Sequence, residues 1–158
     1  MRELAVAMVA LTTLAVPIRA QTGERETGRM ESIELYSRAI SALLGDLDGG
    51  DVYLANRILG EGGRMTASEV PEAVAESLRE AGYQAWISEL AENGLWQFPR
   101  GALFMMMREV RWQPGHKLAE FSIDVGPSVN QLDEVAFRFK KTDDGWTLIE
   151  KGPPEGEG

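Results

Sequence analysis

The sequence predicts an α+β fold, with N-terminal helices packed on a C-terminal four-stranded antiparallel meander sheet. Three observations carry this. Apolar residues recur at helical spacing in the first half, and from Gly101 onward they alternate with period two. Turn-forming Pro, Gly and Asp residues separate the alternating runs.

The first helix is expected over Glu31 to Gly45. Ile33, Tyr36, Ile40, Leu43 and Leu44 fall on one face. Glu31 and Glu34 suit the positive end of the helix dipole, and Gly45 suits its close. Asp46 to Asp51 reads as a loop. Val52 to Leu59 is either a strand or a short helix, because a short apolar run does not distinguish them. Gly60 to Gly63 is a turn. Ser68 and Pro71 open a second helix, Gly82 closes it, and Val70, Val74 and Leu78 form its stripe. Residues 83–93 are again open between strand and helix.

Ala102 to Trp112 reads as one long strand, and Pro114-Gly115-His116 as a turn. In Leu118 to Val125, residues Ala119, Phe121, Ile123 and Val125 share one face. Val135, Phe137 and Phe139 share a face of the third strand. Asp143-Asp144-Gly145 is a hairpin turn, and Trp146 to Glu150 returns as the fourth strand. The apolar sheet face needs a cover, and the two helices are the available ones.

The chain has 158 residues, room for one domain, with a formal net charge of −9. Such an acidic chain repels phosphate backbones and anionic lipid surfaces, so neither nucleic acid nor a membrane is an expected partner. It has no cysteine, which excludes disulfides, thiolate nucleophiles and zinc–thiolate sites. Residues 1–20 read as a secretory signal peptide. Arg2 precedes the apolar run Leu4 to Val16, Pro17 breaks it, and Ile18-Arg19-Ala20 ends in a small residue. The run is shorter than the roughly 18–20 apolar residues of a spanning helix. The expectation is an exported protein, periplasmic or secreted, with no membrane attachment after cleavage. Residues 21–30 read as a flexible leader, 31–151 as a single domain and 152–158 as a disordered tail.

The ending Val135–Lys151, VAFRFKKTDDGWTLIEK, resembles the closing hairpin of NTF2-like (SnoaL-like) α+β cone domains. There, a strand of alternating aromatics meets an Asp-Gly turn followed by Trp. A long first helix and a terminal meander are similar to that family's element order. The resemblance implies a conical pocket, used by some members for catalysis with an Asp–His or Tyr–Asp pair and by others for binding. No family catalytic residue carries over. The only histidine, His116, falls in a predicted turn.

Candidate chemistry is sparse. His116 reads as a solvated turn residue. Asp46, Asp48 and Asp51 open like a calcium loop, but Asp51 occupies the glycine position and Arg57 the bidentate glutamate position. Gly60-Glu61-Gly62-Gly63 lacks the Lys-Ser/Thr of a phosphate-binding loop, and no Gly-x-Ser-x-Gly elbow is present. No catalytic residue, metal ligand or cofactor is therefore named. The pocket candidates are Tyr53, Trp86, Phe104, Met105 and Met107, chosen as aromatic or adaptable apolar side chains. Trp96 and Phe98, in a Pro/Gly-containing loop, either cap the core or form an interaction patch. Glu109, Arg111, Glu120, Asp124, Arg138 and Lys140 make a polar sheet face, either solvated and salt-bridged or a docking face. The expected function is a non-catalytic exported domain binding a small ligand or a partner protein. The alternatives are a pocket enzyme using carboxylates and a structural homodimer.

Overall fold

The computed structural model describes residues 27–47 and 50–154. The segment read as a signal peptide lies outside them. Contacts divide the chain after Ser32. Of the first unit only 27–32 are described, a helical stretch in which Ser32 Oγ donates to the Gly28 carbonyl at 2.9 Å. Helix therefore replaces the expected leader at 27–30. The rest of the architecture belongs to the unit from Ile33 onward.

Helix α1 covers 27–46. Its expected stripe is the observed one: Tyr36, Ile40, Leu43 and Leu44 are buried and Ile33 packs beside them, joined by Leu35 and Ala39. Helix α2 spans Val70–Glu80. Ser68 Oγ accepts from the Val70 amide at 3.1 Å, and Pro71 lies in the first turn. At the other end Gly82 has φ +96°, and the amides of Gly82 and Tyr83 donate to the carbonyls of Arg79 and Leu78. This left-handed closure consumes two carbonyls that the helix would otherwise strand.

The strands are β1 (Val52–Ala55), β2 (Arg57–Leu59), β3 (Met65–Ala67), β4 (Ala85–Ser88), β5 (Leu103–Met107), β6 (Arg111–Trp112), β7 (Leu118–Gly126), β8 (Asp133–Thr142) and β9 (Gly145–Gly152). The expected four-stranded antiparallel sheet is part of a larger mixed one. Seven strands join in the order β4-β1-β5-β7-β8-β9, with β6 also paired to β7. β4 and β5 flank β1 in parallel, while β5, β7, β8 and β9 pair antiparallel. β1 alternates between two buried faces, as strands in parallel pairing commonly do. Val52 and Leu54 join the helix-covered core, and Ala55 joins a second cluster on the other side. The β2–β3 hairpin stands apart as a two-stranded ribbon. The open segments are thus resolved: 52–59 is two strands, and 83–93 contains β4 followed by loop.

The helix-covered core is centred on Phe121. Its ring meets Tyr36 edge-on at 5.0 Å and stacks with Phe137 and Phe139 at 5.7 and 5.8 Å. Trp146, the residue after the hairpin turn, is buried in the same core.

Two irregularities shift the strand faces. The expected strand over 102–112 is broken at 108–110. Met107 pairs with Ile123, but Arg111 pairs with Glu120, so one extra residue sits on this side. The break occurs where the Glu109 amide leaves β7 to donate to the Leu59 carbonyl at 2.9 Å. In β9, Phe139 pairs with Leu148 and Arg138 with Glu150, leaving Ile149 as the extra residue.

Gly126 ends β7, and a Cβ there would collide with the backbone of Gln131. The loop 127–132 folds back against this bare α-carbon. Gly126→Ala should lower stability by about 1–3 kcal/mol through overpacking, read as a reduced urea midpoint with an unchanged slope. An unaltered midpoint would show that the loop yields freely.

A charged groove as the candidate functional site

The sequence-selected pocket residues do not converge. Met105 and Met107 point into the helix-covered core, where they are fully buried. Phe104, also fully buried, lies on the other face with Met106 and Ala55. Tyr53 is in register with both Trp86 and Phe104, and Trp86 is 42% exposed with the Arg79 guanidinium 5.9 Å from its ring. The set fails as one pocket because successive residues of a strand face opposite sides.

Trp96 and Phe98 are half-buried caps rather than a free patch. Their rings lie 5.5 and 5.0 Å from that of Phe104. Ser88 Oγ pins their loop by donating to the Gln97 carbonyl at 2.8 Å. His116 is in the expected turn at φ +56°, its ring stacked on Trp112 at 4.3 Å. Of the acidic loop, Asp46 pairs with Lys151, and Asp48 lies outside the described residues.

The concave region with chemical character lies on the sheet face away from the helices. It has two lobes, of about 560 and 400 Å³, which share Arg111, Phe121, Ser122 and Glu134. Three rows of cross-strand neighbours build it. Arg111, Glu120, Arg138 and Glu150 follow one another across β6, β7, β8 and β9. Ser122, Ala136 and Gly152 form the next row, a floor of small residues. Asp124 and Glu134 stand opposite each other in the third. Gly60, Glu61, Arg64 and Thr66 of the β2–β3 hairpin wall one lobe, and Pro153 and Pro154 wall the other. Part of the expected disordered tail is therefore built into the groove, and Gly152 is the last residue of β9.

Both irregularities are needed for this arrangement. In an unbroken strand Arg108 and Arg111 would face opposite sides; the break brings both to the groove. Likewise, period two from Trp146 and Leu148 would send Glu150 into the core. The extra Ile149 turns it outward to Arg138.

The charges are already partly paired. Arg138 reaches Glu120 at 2.9 Å and Glu150 at 3.3 Å. Arg111 is 4.0 Å from Glu120. Arg108 directs Nε and Nη2 to Asp124 at 3.2–3.3 Å and lies 3.6 Å from Glu134. Behind Arg108, the buried Tyr36 hydroxyl donates to its carbonyl at 2.7 Å. Burial foremost, and then the negative charge of Glu109, pushes the Tyr36 phenol well above its ordinary range.

Burial is also the largest influence on Asp124 and raises its carboxyl above the usual range. Hydrogen bonds and charge from Arg108 oppose this, and Glu134 adds to it. Sequence reasoning selected Arg111, Glu120, Asp124 and Arg138 through their shared strand face. It missed Arg108, Glu134 and Glu150. Glu134 was accessible as the residue before the Val135 stripe, whereas the other two depend on the irregularities.

No protein-family model, curated protein or solved structure matches the chain. What fold and site define is an α+β domain with a salt-bridged groove on the uncovered part of a mixed sheet.

With a raised folded-state value, Asp124 holds its proton more tightly in the folded than in the unfolded chain. Its contribution to stability is therefore present below the ordinary carboxylate range and lost as pH rises through the folded value. A carbon-detected NMR titration should place the Asp124 midpoint above the usual carboxylate range. A midpoint below that range would mean that Arg108 outweighs burial.

Proposed function

We propose that this chain is an exported, non-catalytic binding domain whose groove over Ser122, Ala136 and Gly152 receives a small ligand. The observation carrying this reading is the combination of a small-residue floor with preorganised charges on both sides. Small side chains let a ligand approach the sheet backbone. Paired charges held by one another need little reordering when it arrives. Export rests on the apolar run at 4–16 and its breaking Pro17.

For the fold relationship we propose the NTF2-like cone, on the long first helix and the closing hairpin. The space between helices and sheet is packed by Tyr36, Phe121, Phe139 and Trp146. The ligand site is accordingly assigned to the opposite face. A carboxylate enzyme has less support. Its nearest arrangement is Asp124 beside Glu134, where Arg108 already occupies Asp124 in an open, polar groove. General acid–base work needs a carboxyl positioned on a substrate proton.

The test is a ligand-observed NMR screen of small charged and polar compounds against residues 21–158. Hits should vanish in Ala136→Trp, which fills the floor, while the variant's amide spectrum stays dispersed. Hits that persist undiminished in the folded variant, or a screen without hits, would refute the groove as a binding site.

A further inference from the structure

We propose that the groove recognises short peptides by their two free ends, the carboxylate at Arg111 and the ammonium at Glu134. This rests on the groove being a binding site and specifies its ligand class.

The inference follows from which charges the fold leaves incompletely matched. In the first row Glu120 is held by Arg138 at 2.9 Å, and Arg138 also takes Glu150 at 3.3 Å. Arg111 is left with Glu120 at 4.0 Å, its only ion pair among the described residues, and its side chain is 66% exposed. At that separation and exposure the pair contributes little, so a carboxylate from a ligand competes readily. In the third row one guanidinium serves two carboxylates. Arg108 makes its hydrogen bonds to Asp124, and Glu134 stands 3.6 Å from it, directly across from Asp124. Two carboxylates and one guanidinium leave an excess negative charge on this side of the groove.

The groove therefore offers an under-matched cation and an under-matched anion on opposite sides of its small-residue floor. Arg111 and Glu134 line both lobes, so both border their junction. A ligand with a single charge satisfies one side and leaves the other unmet. A zwitterion satisfies both.

The spacing selects length. Arg111 is in register with Glu120, and Glu134 with Asp124. Four residues along the strands and two strand spacings across them separate Arg111 on β6 from Glu134 on β8 by about 16 Å at the backbone. Side chains approaching from each end shorten the gap that a ligand must bridge. An extended tripeptide spans about 10 Å, whereas a single amino acid holds its two charges only a few bonds apart.

The experiment uses residues 21–158 at low ionic strength, where exposed charges are least screened. Triglycine, N-acetyl-triglycine and triglycine amide are each titrated, with amide chemical shifts as the readout. Triglycine should move the resonances of Ser122, Ala136 and Gly152. Either blocked form should bind at least fivefold more weakly. Arg111→Gln should weaken triglycine by a similar factor and abolish the penalty for amidation while retaining that for acetylation. Glu134→Gln should do the converse. This pairing of site and ligand changes isolates each contact.

Equal binding of all three peptides, or of the variants, would overturn recognition by the ends. If triglycine leaves the groove unmoved while screen compounds bind there, the peptide proposal falls and the binding groove stands. If neither binds there, both readings fall.

Discussion

The structure turns on Arg108, which ties the covered and uncovered faces of the sheet together. Its carbonyl accepts the Tyr36 hydroxyl from the helix side, and its amide donates to Ser122 of β7. Its guanidinium holds Asp124 on the outer face. One residue later the chain pairs with Leu59 instead of continuing along β7. A buried phenol and a largely buried carboxylate are both costly unless hydrogen-bonded. Arg108 supplies partners to both, one through its backbone and one through its side chain. The break in the strand is thus held by a buried polar group on each face of the sheet.

The two faces of the sheet are finished differently. One carries the aromatic core around Phe121 and is covered by α1 and α2. On the other, the loop bearing Trp96 and Phe98 closes over Phe104 and Met106 near β1 and β5. That cover stops short of the outer faces of β7, β8 and β9, where Ser122, Ala136 and Gly152 supply no apolar bulk to bury. Charges occupy the rows on either side, as an uncovered sheet face requires. The groove is thus the part of the sheet that the second core does not reach.

Much of the chain's local structure was legible in sequence. Tyr36, Ile40 and Leu44 marked the buried face of α1; Ser68, Pro71 and Gly82 marked the ends of α2. Phe121, Phe137 and Phe139 marked one face of the meander, and Asp143-Asp144-Gly145 its last turn. The polar face was legible too, through Glu120, Asp124 and Arg138. Phe104 and Met105 misled as pocket partners because a run apolar on both sides does not indicate which face leads to solvent. Glu150 was hidden because a single unpaired residue, Ile149, reverses the alternation that any reading along β9 must assume.

By itself the sequence determined the α+β class, the absence of cysteine chemistry, the apolar faces of both helices and the antiparallel end of the sheet. Each depends on residues close in the chain, where a repeat of 3.6 or of two specifies the exposed side. Tertiary structure alone decided that β1 lies between β4 and β5, and that the run at 102–112 divides. It also decided that Arg108, Arg111 and Glu150 meet on one face. These features depend on hydrogen bonds between strands far apart in sequence. There, one extra residue changes the outcome without changing the composition of the segment.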